Sequence, residues 1–278
     1  MADARGRLRA AGIPREESDL DARLLAEFAL GWTSERFFTS AGQRESDDFA
    51  HRYEALVSRR ASREPLAYIV GRQEFWGLSF EVSPAVLIPR PETELIVEAA
   101  LALFPSTDAP VSVADVCTGS GCVAVALARE RPAARVVASD VSNVALALAR
   151  RNASRHGVAD RVTTVCTDLL DGIDPPLDLV ASNPPYVRER DRLGLQPEVR
   201  DHEPALALFA GPEGLDIIRR LVGQAPTRLR PGGYLIFEFG FGQDEAVEEL
   251  LASSPDFQSI ELRRDLQGIA RTAVARRR

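Results

Sequence analysis

Two short stretches of this 278-residue chain carry side chains whose types and spacing can do chemistry. The first is Asp115-Val116-Cys117-Thr118-Gly119-Ser120-Gly121-Cys122-Val123-Ala124, which ends an apolar run and opens a helical pattern. Gly119 and Gly121 allow a tight turn with no Cβ in the way, so backbone can approach a ligand closely. The helix start then offers unpaired N–H groups to a negative group. Asp140 follows 19 positions after Gly121, at the end of the next apolar run, where an acid can accept hydrogen bonds from ribose hydroxyls. The spacing Gly119-x-Gly121-x-x-Ala124 also satisfies a dinucleotide fingerprint. Asp115 tilts the choice: a second carboxylate beside the pocket repels a pyrophosphate and suits a cationic ligand such as a sulfonium with its ammonium.

The second stretch, Leu179-Val180-Ala181-Ser182-Asn183-Pro184-Pro185-Tyr186, runs an apolar strand straight into two prolines. Each proline holds the residue before it in extended backbone, and neither has an N–H, so the Pro184 carbonyl stays available as an acceptor. Paired with the Asn183 side-chain oxygen, and with the flat ring of Tyr186 beside them, it forms a rigid site for a planar –NH2 group. An amide or aromatic amine nitrogen is a poor nucleophile because its lone pair is delocalised. Holding both hydrogens aims that nitrogen at a methyl carbon and stabilises the positive charge that grows on it during transfer.

The elements that must position these stretches follow from hydrophobic periodicity. From about Val111, apolar runs at 111–117, 135–139, 162–166, 177–182, 234–239, 258–262 and 270–274 alternate with helical patterns at 122–129, 144–156, 215–229 and 243–251. Strands separated by helices of this length imply right-handed βαβ units, hence an α/β fold with a seven-stranded, mostly parallel sheet and one antiparallel partner at its edge. In such a sheet, both candidate stretches fall at the carboxyl edge, where ligands bind. Residues 1–72 read instead as a small helical domain. Leu20, Leu24 and Phe28 form one stripe, with Leu25 and Ala29 beside it and Asp19 or Asp21 as cap; Phe49, Tyr53, Leu56 and Val57 form a second, and Ser40–Gln43 separates the two. Residues 73–90 carry a hairpin around Gly77 and connect this domain to a catalytic domain over 91–278.

Composition narrows the function classes. Every one of the 34 basic residues is arginine, which excludes a lysine Schiff base or a P-loop lysine, and 41 acidic residues leave a net charge of −7. That balance argues against a surface that grips phosphates, so no direct nucleic-acid contact is expected. Three cysteines, Cys117, Cys122 and Cys166, and three histidines give neither a disulfide framework nor a zinc site, so no metal is expected. The N-terminus lacks the apolar core of a signal peptide, and no run approaches a membrane span. A cytoplasmic monomer is the expectation. Arg59-Arg60, Arg150-Arg151, Arg219-Arg220 and Arg263-Arg264 read as solvated faces, Cys122 and Cys166 as small buried residues, and Glu238 as either facing the pocket or capping an edge.

With these residues quoted, the chain resembles the bacterial peptide chain release factor glutamine methyltransferases, a Rossmann-like class of S-adenosylmethionine-dependent enzymes. The resemblance spans nearly the whole sequence: Glu64-Pro65-Leu66-Ala67-Tyr68-Ile69, Glu74-Phe75-Trp76-Gly77, Ile88-Pro89-Arg90-Pro91-Glu92-Thr93-Glu94, the glycine turn, Asn183–Tyr186, and Glu203-Pro204 ahead of Ala207-Leu208. It implies methylation of the side-chain amide nitrogen of the glutamine in the Gly-Gly-Gln loop of class I release factors, with the helical domain recognising the substrate. By position, Cys117 to Gly121 (with Thr118, Gly119 and Ser120 between) wrap the methionine end of S-adenosyl-L-methionine. Asp140 takes its ribose, Asp168 and Leu169 flank its adenine, and Asn183, Pro184, Pro185 and Tyr186 hold the glutamine amide, Asn183 also bordering the cofactor. Cys117 stands where the family usually has glycine, and Leu169 where an aromatic is common. A ribosomal-protein glutamine methyltransferase and, less favoured, a DNA adenine-N6 methyltransferase share the Asn-Pro-Pro-Tyr turn and are the alternatives.

Overall fold

The computed structural model describes residues 1–39, 48–174 and 176–278; the Ser40–Gln43 stretch expected between the first helices lies outside them. These residues form two compact units: 1–72 together with 196–202, and 73–195 together with 203–278. Among them, no helix is long and apolar enough to cross a membrane.

The first unit comprises α1 (Ala2–Ala10), α2 (Arg15–Leu30), α3 (Ser34–Thr39), α4 (Phe49–Ala61) and α5 (Leu66–Val70). Its core is built from Leu8, Ile13, Ala22, Leu25, Val57 and Ile69. The buried face of α2 is therefore Ala22, Leu25, Ala26 and Ala29, whereas the expected Leu20 and Phe28 are 45% and 42% exposed. The helix starts at Arg15, so neither Asp19 nor Asp21 caps it. Asp21 sits in the helix interior, buried, and Arg60 Nε donates to it at 2.7 Å. That pairing turns α2 so that its small residues face inward. Arg60, expected to be solvated, is 1% exposed and also donates to Glu17 at 2.7 Å and to Glu198 at 2.8 Å. Such an arginine is tolerated inside only because its fork of N–H groups is matched by carboxylates. Glu198 belongs to a late segment of the chain (196–202) that this unit captures, a recruitment for which sequence periodicity carries no signal.

In the second unit, β1 (Arg72–Phe75) and β2 (Leu78–Glu81) make the expected hairpin. Its two turn residues, Trp76 and Gly77, both have positive φ (53° and 66°), the combination that matches strand twist in a two-residue turn. Tryptophan tolerates this because Glu94 Oε1 accepts its backbone N–H at 2.6 Å and Glu130 Oε1 its indole N–H at 2.9 Å. After α6 (Glu94–Leu103) come β3 (Ser112–Val116), α7 (Cys122–Glu130), β4 (Arg135–Asp140), α8 (Asn143–Arg155), β5 (Val162–Cys166) and β6 (Leu177–Ser182). The chain continues through α9 (Pro197–His202, the captured segment), α10 (Asp216–Arg228), β7 (Leu229–Glu238), α11 (Asp244–Ser253), β8 (Phe257–Arg264) and β9 (Ala270–Arg277).

The seven strands lie in the order β5-β4-β3-β6-β7-β9-β8. The pairs from β5 through β7 are parallel, and β9 is antiparallel to both its neighbours. The antiparallel strand is thus one in from the edge rather than at it, because β8 passes β7 by and β9 returns between them. Both faces are covered, which is why these strands read as nearly continuous apolar runs. Along β3, Val113 faces one core with Ile96 and Val123, while Ala114 and Val116 face the other with Ile218 and Leu221. The order of strands reverses between β3 and β6. Those two strands stay paired to their carboxyl ends, Val116 opposite Ser182, and it is at these ends that the two candidate stretches emerge.

Candidate active site

The glycine turn leaves β3 through alternating left-handed residues: Cys117 (φ 59°), Gly119 (53°) and Gly121 (80°) flank Thr118 and Ser120, and Gly121 itself caps α7. Gly121 must be glycine twice over, since a Cβ there would also lie 3.0 Å from the Ala149 Cβ in α8. Cys117 adopts the same strained region with a side chain, which costs about 1–2 kcal/mol relative to glycine. Burial pushes its thiol well up, so it is a neutral wall group rather than a nucleophile.

Two acids brace this turn. Asp115, 1% exposed, accepts the Thr118 hydroxyl at 2.6 Å and the Ala124 backbone N–H at 3.0 Å, both on Oδ2. Burial raises its carboxyl from 3.8 to about 7, with the nearby charge of Asp140 adding to the shift. Asp140 accepts Gly119 N–H at 3.0 Å on Oδ2 and Ser142 N–H at 2.9 Å on Oδ1. Each oxygen of Asp140 therefore keeps a lone pair for a further donor. Its carboxyl is also raised by burial, against the pull of those backbone bonds.

The turn opens on a cavity of about 340 Å³, a size suited to a small-molecule ligand. Of the residues singled out in the sequence, Cys117, Thr118, Gly119, Ser120, Asp140, Asp168, Leu169, Asn183 and Pro185 line it. Gly121, Pro184 and Tyr186 are not on its wall: Gly121 is packed under α8, and Tyr186 is turned behind the wall, its hydroxyl donating to Glu238 Oε1 at 2.8 Å. Leu169 (φ 52°) has its carbonyl held by Ser139 Oγ at 3.1 Å, which places its side chain in the pocket floor. Asp168 carries an ion pair with Arg220 at 2.6 Å.

Asn183 follows β6 directly. Its Nδ2 donates to Thr93 Oγ1 at 2.9 Å, while its Oδ1 is buried with no hydrogen-bond partner among the described residues. Buried acceptors without partners are uncommon and costly, so this oxygen marks a place where a donor is missing. The turn behind it is anchored at its C-terminal end, at the peptide joining Tyr186 to Val187: Gln243 Nε2 donates to the Tyr186 carbonyl at 3.1 Å, and Val187 N–H donates to the Leu208 carbonyl at 2.8 Å.

Known proteins share this arrangement of domains. Residues 1–71 match the family model of the PrmC N-terminal domain and residues 95–196 that of the methyltransferase small domain. A release factor glutamine methyltransferase of Koribacter versatilis is 42% identical over 260 residues, covering 93% of this chain and 91% of the relative. One from Bradyrhizobium diazoefficiens is 42% identical over 273 residues, covering 98% and 91%. This chain belongs to the release factor glutamine methyltransferase family. Over 68% of its length this chain also shares its fold with 81% of a ribosomal protein L11 methylase from Lactobacillus delbrueckii subsp. bulgaricus (TM-score 0.50, 25% identity).

Several lining residues of this methyltransferase have no signal of their own in the sequence. Leu206, Phe209 and Ile217 reach the cavity from a loop and from α10, and Pro89, quoted above only within a motif, joins them. Arg220 is exposed as expected, and its side chain also lines the wall, where it pairs with Asp168 at 2.6 Å. Glu203 anchors the Pro89 segment, since Arg90 donates to its Oε1 and Ile88 N–H to its Oε2 at 3.3 Å. Cys122 is buried as expected, but Cys166 is exposed at the end of the edge strand β5, which has a neighbour, β4, on one side only.

Proposed function

We propose that this methyltransferase transfers a methyl group from S-adenosyl-L-methionine to the side-chain amide nitrogen of the glutamine in the Gly-Gly-Gln motif of class I release factors. The observation that carries this reading is the buried Asn183 Oδ1, without a partner among the described residues, on a residue that lines one cavity together with the glycine turn and its two acids. An acceptor waiting there calls for a planar N–H donor.

The residues present fit the cofactor. Asp140 has lone pairs for two ribose hydroxyls, Thr118, Gly119 and Ser120 present backbone to the methionine end, and Asp115 supplies negative charge beside a cationic group. Asp168 and Leu169 would flank the adenine. S-adenosylmethionine supplies an electrophilic methyl carbon on a sulfonium sulfur that departs with the bonding pair. In this reading Asn183 Oδ1 accepts one hydrogen of the glutamine NH2 and the Pro184 carbonyl the other, which requires that carbonyl to reach the wall that Pro184 does not line here, and so fixes the nitrogen in line with that carbon. As positive charge develops on nitrogen, both oxygens stabilise it more than they do the neutral amide, and that difference is catalytic. The methylated cation is acidic enough to release its proton without a strong base.

The reading has the helical unit recognise the release factor, and has the enzyme work in the cytoplasm as a monomer without direct nucleic-acid contact, in keeping with the charge of −7. Isothermal titration with S-adenosylmethionine, then methyl transfer to a class I release factor, to a ribosomal protein and to DNA, tests it. The expected product is one methyl on the Gly-Gly-Gln glutamine, located by mass spectrometry. Transfer to DNA or ribosomal protein alone would overturn it.

A further inference from the structure

Resting on that reading of the cavity, a hydrogen-bond chain from Thr93 on the cavity wall to Glu238 behind it accounts for how the Asn183 amide is oriented. An asparagine amide is nearly symmetric in shape, and presenting its NH2 to the substrate NH2 would set donor against donor. Something must fix which end faces the substrate. Thr93 Oγ1 donates to Glu238 Oε2 at 2.6 Å, and Tyr186 donates its phenol hydrogen to Glu238 Oε1 at 2.8 Å. Thr93 is 2% exposed and Glu238 1% exposed. A hydroxyl has a single hydrogen. Because Thr93 spends its own on the carboxylate, its oxygen can only accept toward Asn183, and it accepts Nδ2–H at 2.9 Å. The amide is thereby turned with Oδ1 on the side away from Thr93, and that oxygen has no partner among the described residues.

We propose that Glu238 and Thr93 are positioning residues that set the polarity of the Asn183 amide, so that it meets the substrate as an acceptor. Glu238 ends β7 and Thr93 immediately precedes α6, so the chain ties two elements to the carboxyl end of β6. Both carboxylate oxygens accept, so the chain runs in one direction from Tyr186 and Asn183 toward Glu238. With a glutamine at 238, an NH2 can donate to Thr93, freeing the threonine hydrogen to turn toward Asn183 and letting the amide flip. With valine at 93, Nδ2 loses its acceptor although the side-chain volume is kept.

Steady-state kinetics on a class I release factor, together with titration calorimetry for S-adenosylmethionine, test this on the full-length Thr93→Val, Thr93→Ser and Glu238→Gln variants. Thr93→Val and Glu238→Gln should lower kcat about 10- to 100-fold, as expected for leaving a buried donor without its acceptor. Their cofactor affinity should stay within about threefold of wild type. Thr93→Ser, which keeps the hydroxyl, should recover most of kcat. Wild-type kcat in Thr93→Val or Glu238→Gln overturns the proposal. So does a Thr93→Ser variant as slow as Thr93→Val, because packing rather than polarity would then be at stake. If Thr93→Val or Glu238→Gln does not fold, Thr93→Ser and the remaining variant decide between these outcomes. A wild-type enzyme that methylates no release factor would instead defeat the functional reading and is distinguished by that control.

Discussion

Asp115→Asn should make the cofactor-free enzyme more stable and the cofactor weaker to bind, with both effects dependent on pH. Asp115 is 1% exposed, and both of its bonds, from Thr118 and from Ala124, are to groups that an asparagine oxygen can also satisfy. Its carboxyl lies near 7 in the folded protein against an ordinary 3.8, chiefly through burial. A folded-state value above the unfolded one means that the folded protein holds the proton more tightly. Stability from this group is then fully present below about pH 4 and is lost as pH rises through about 7. The loss at high pH is at most about 4 kcal/mol for a displacement of that size. Asparagine has no charge to desolvate and avoids it. Urea denaturation at a series of pH values should show Asp115→Asn gaining on wild type between about pH 5 and pH 8. Calorimetry at the upper end of that range should show S-adenosylmethionine binding about tenfold weaker, for want of the opposing charge. A variant less stable than wild type at high pH, or a stability difference that does not change with pH, would refute the reasoning.

Cys117→Gly should raise thermal stability by about 1 kcal/mol, read from the melting transition, because the left-handed φ of 59° no longer carries a side chain. Arg60→Ala should cost about 3–5 kcal/mol in denaturant titration, since it leaves Asp21 buried without its partner. The Arg60→Ala loss should shrink when Asp21→Asn is added, and a strictly additive double variant would contradict the pairing.

The sheet is legible in the sequence because its signals are local. Residues 177–182 read as a strand and are one because both faces of the parallel sheet are buried there, whereas 162–166, a half-exposed edge strand, is legible from its β-branched residues. The glycine turn and the Asn-Pro-Pro-Tyr corner are legible for the same reason: backbone constraints of glycine and proline act within a few residues. What escapes is non-local. Glu238 meets Thr93 across 145 positions, and Arg60 meets Glu198 across 138, and no periodicity along one segment reports a partner so distant. The inward face of α2 departs from the apolar stripe because a buried ion pair, not the largest apolar side chains, sets its rotation. The place of β9 departs from expectation because adjacency in sequence says that β8 and β9 pair but not which of them meets β7.

The central claim is that the Asn183 oxygen accepts a hydrogen from the glutamine amide and aims its nitrogen. The most direct measurement is single-turnover methyl transfer to a class I release factor by Asn183→Ala, with S-adenosylmethionine affinity measured alongside. The account predicts a rate about 10²- to 10³-fold below wild type, the scale of removing one preorganised polar contact to a developing charge, with cofactor binding largely intact. A rate near that of wild type would contradict it.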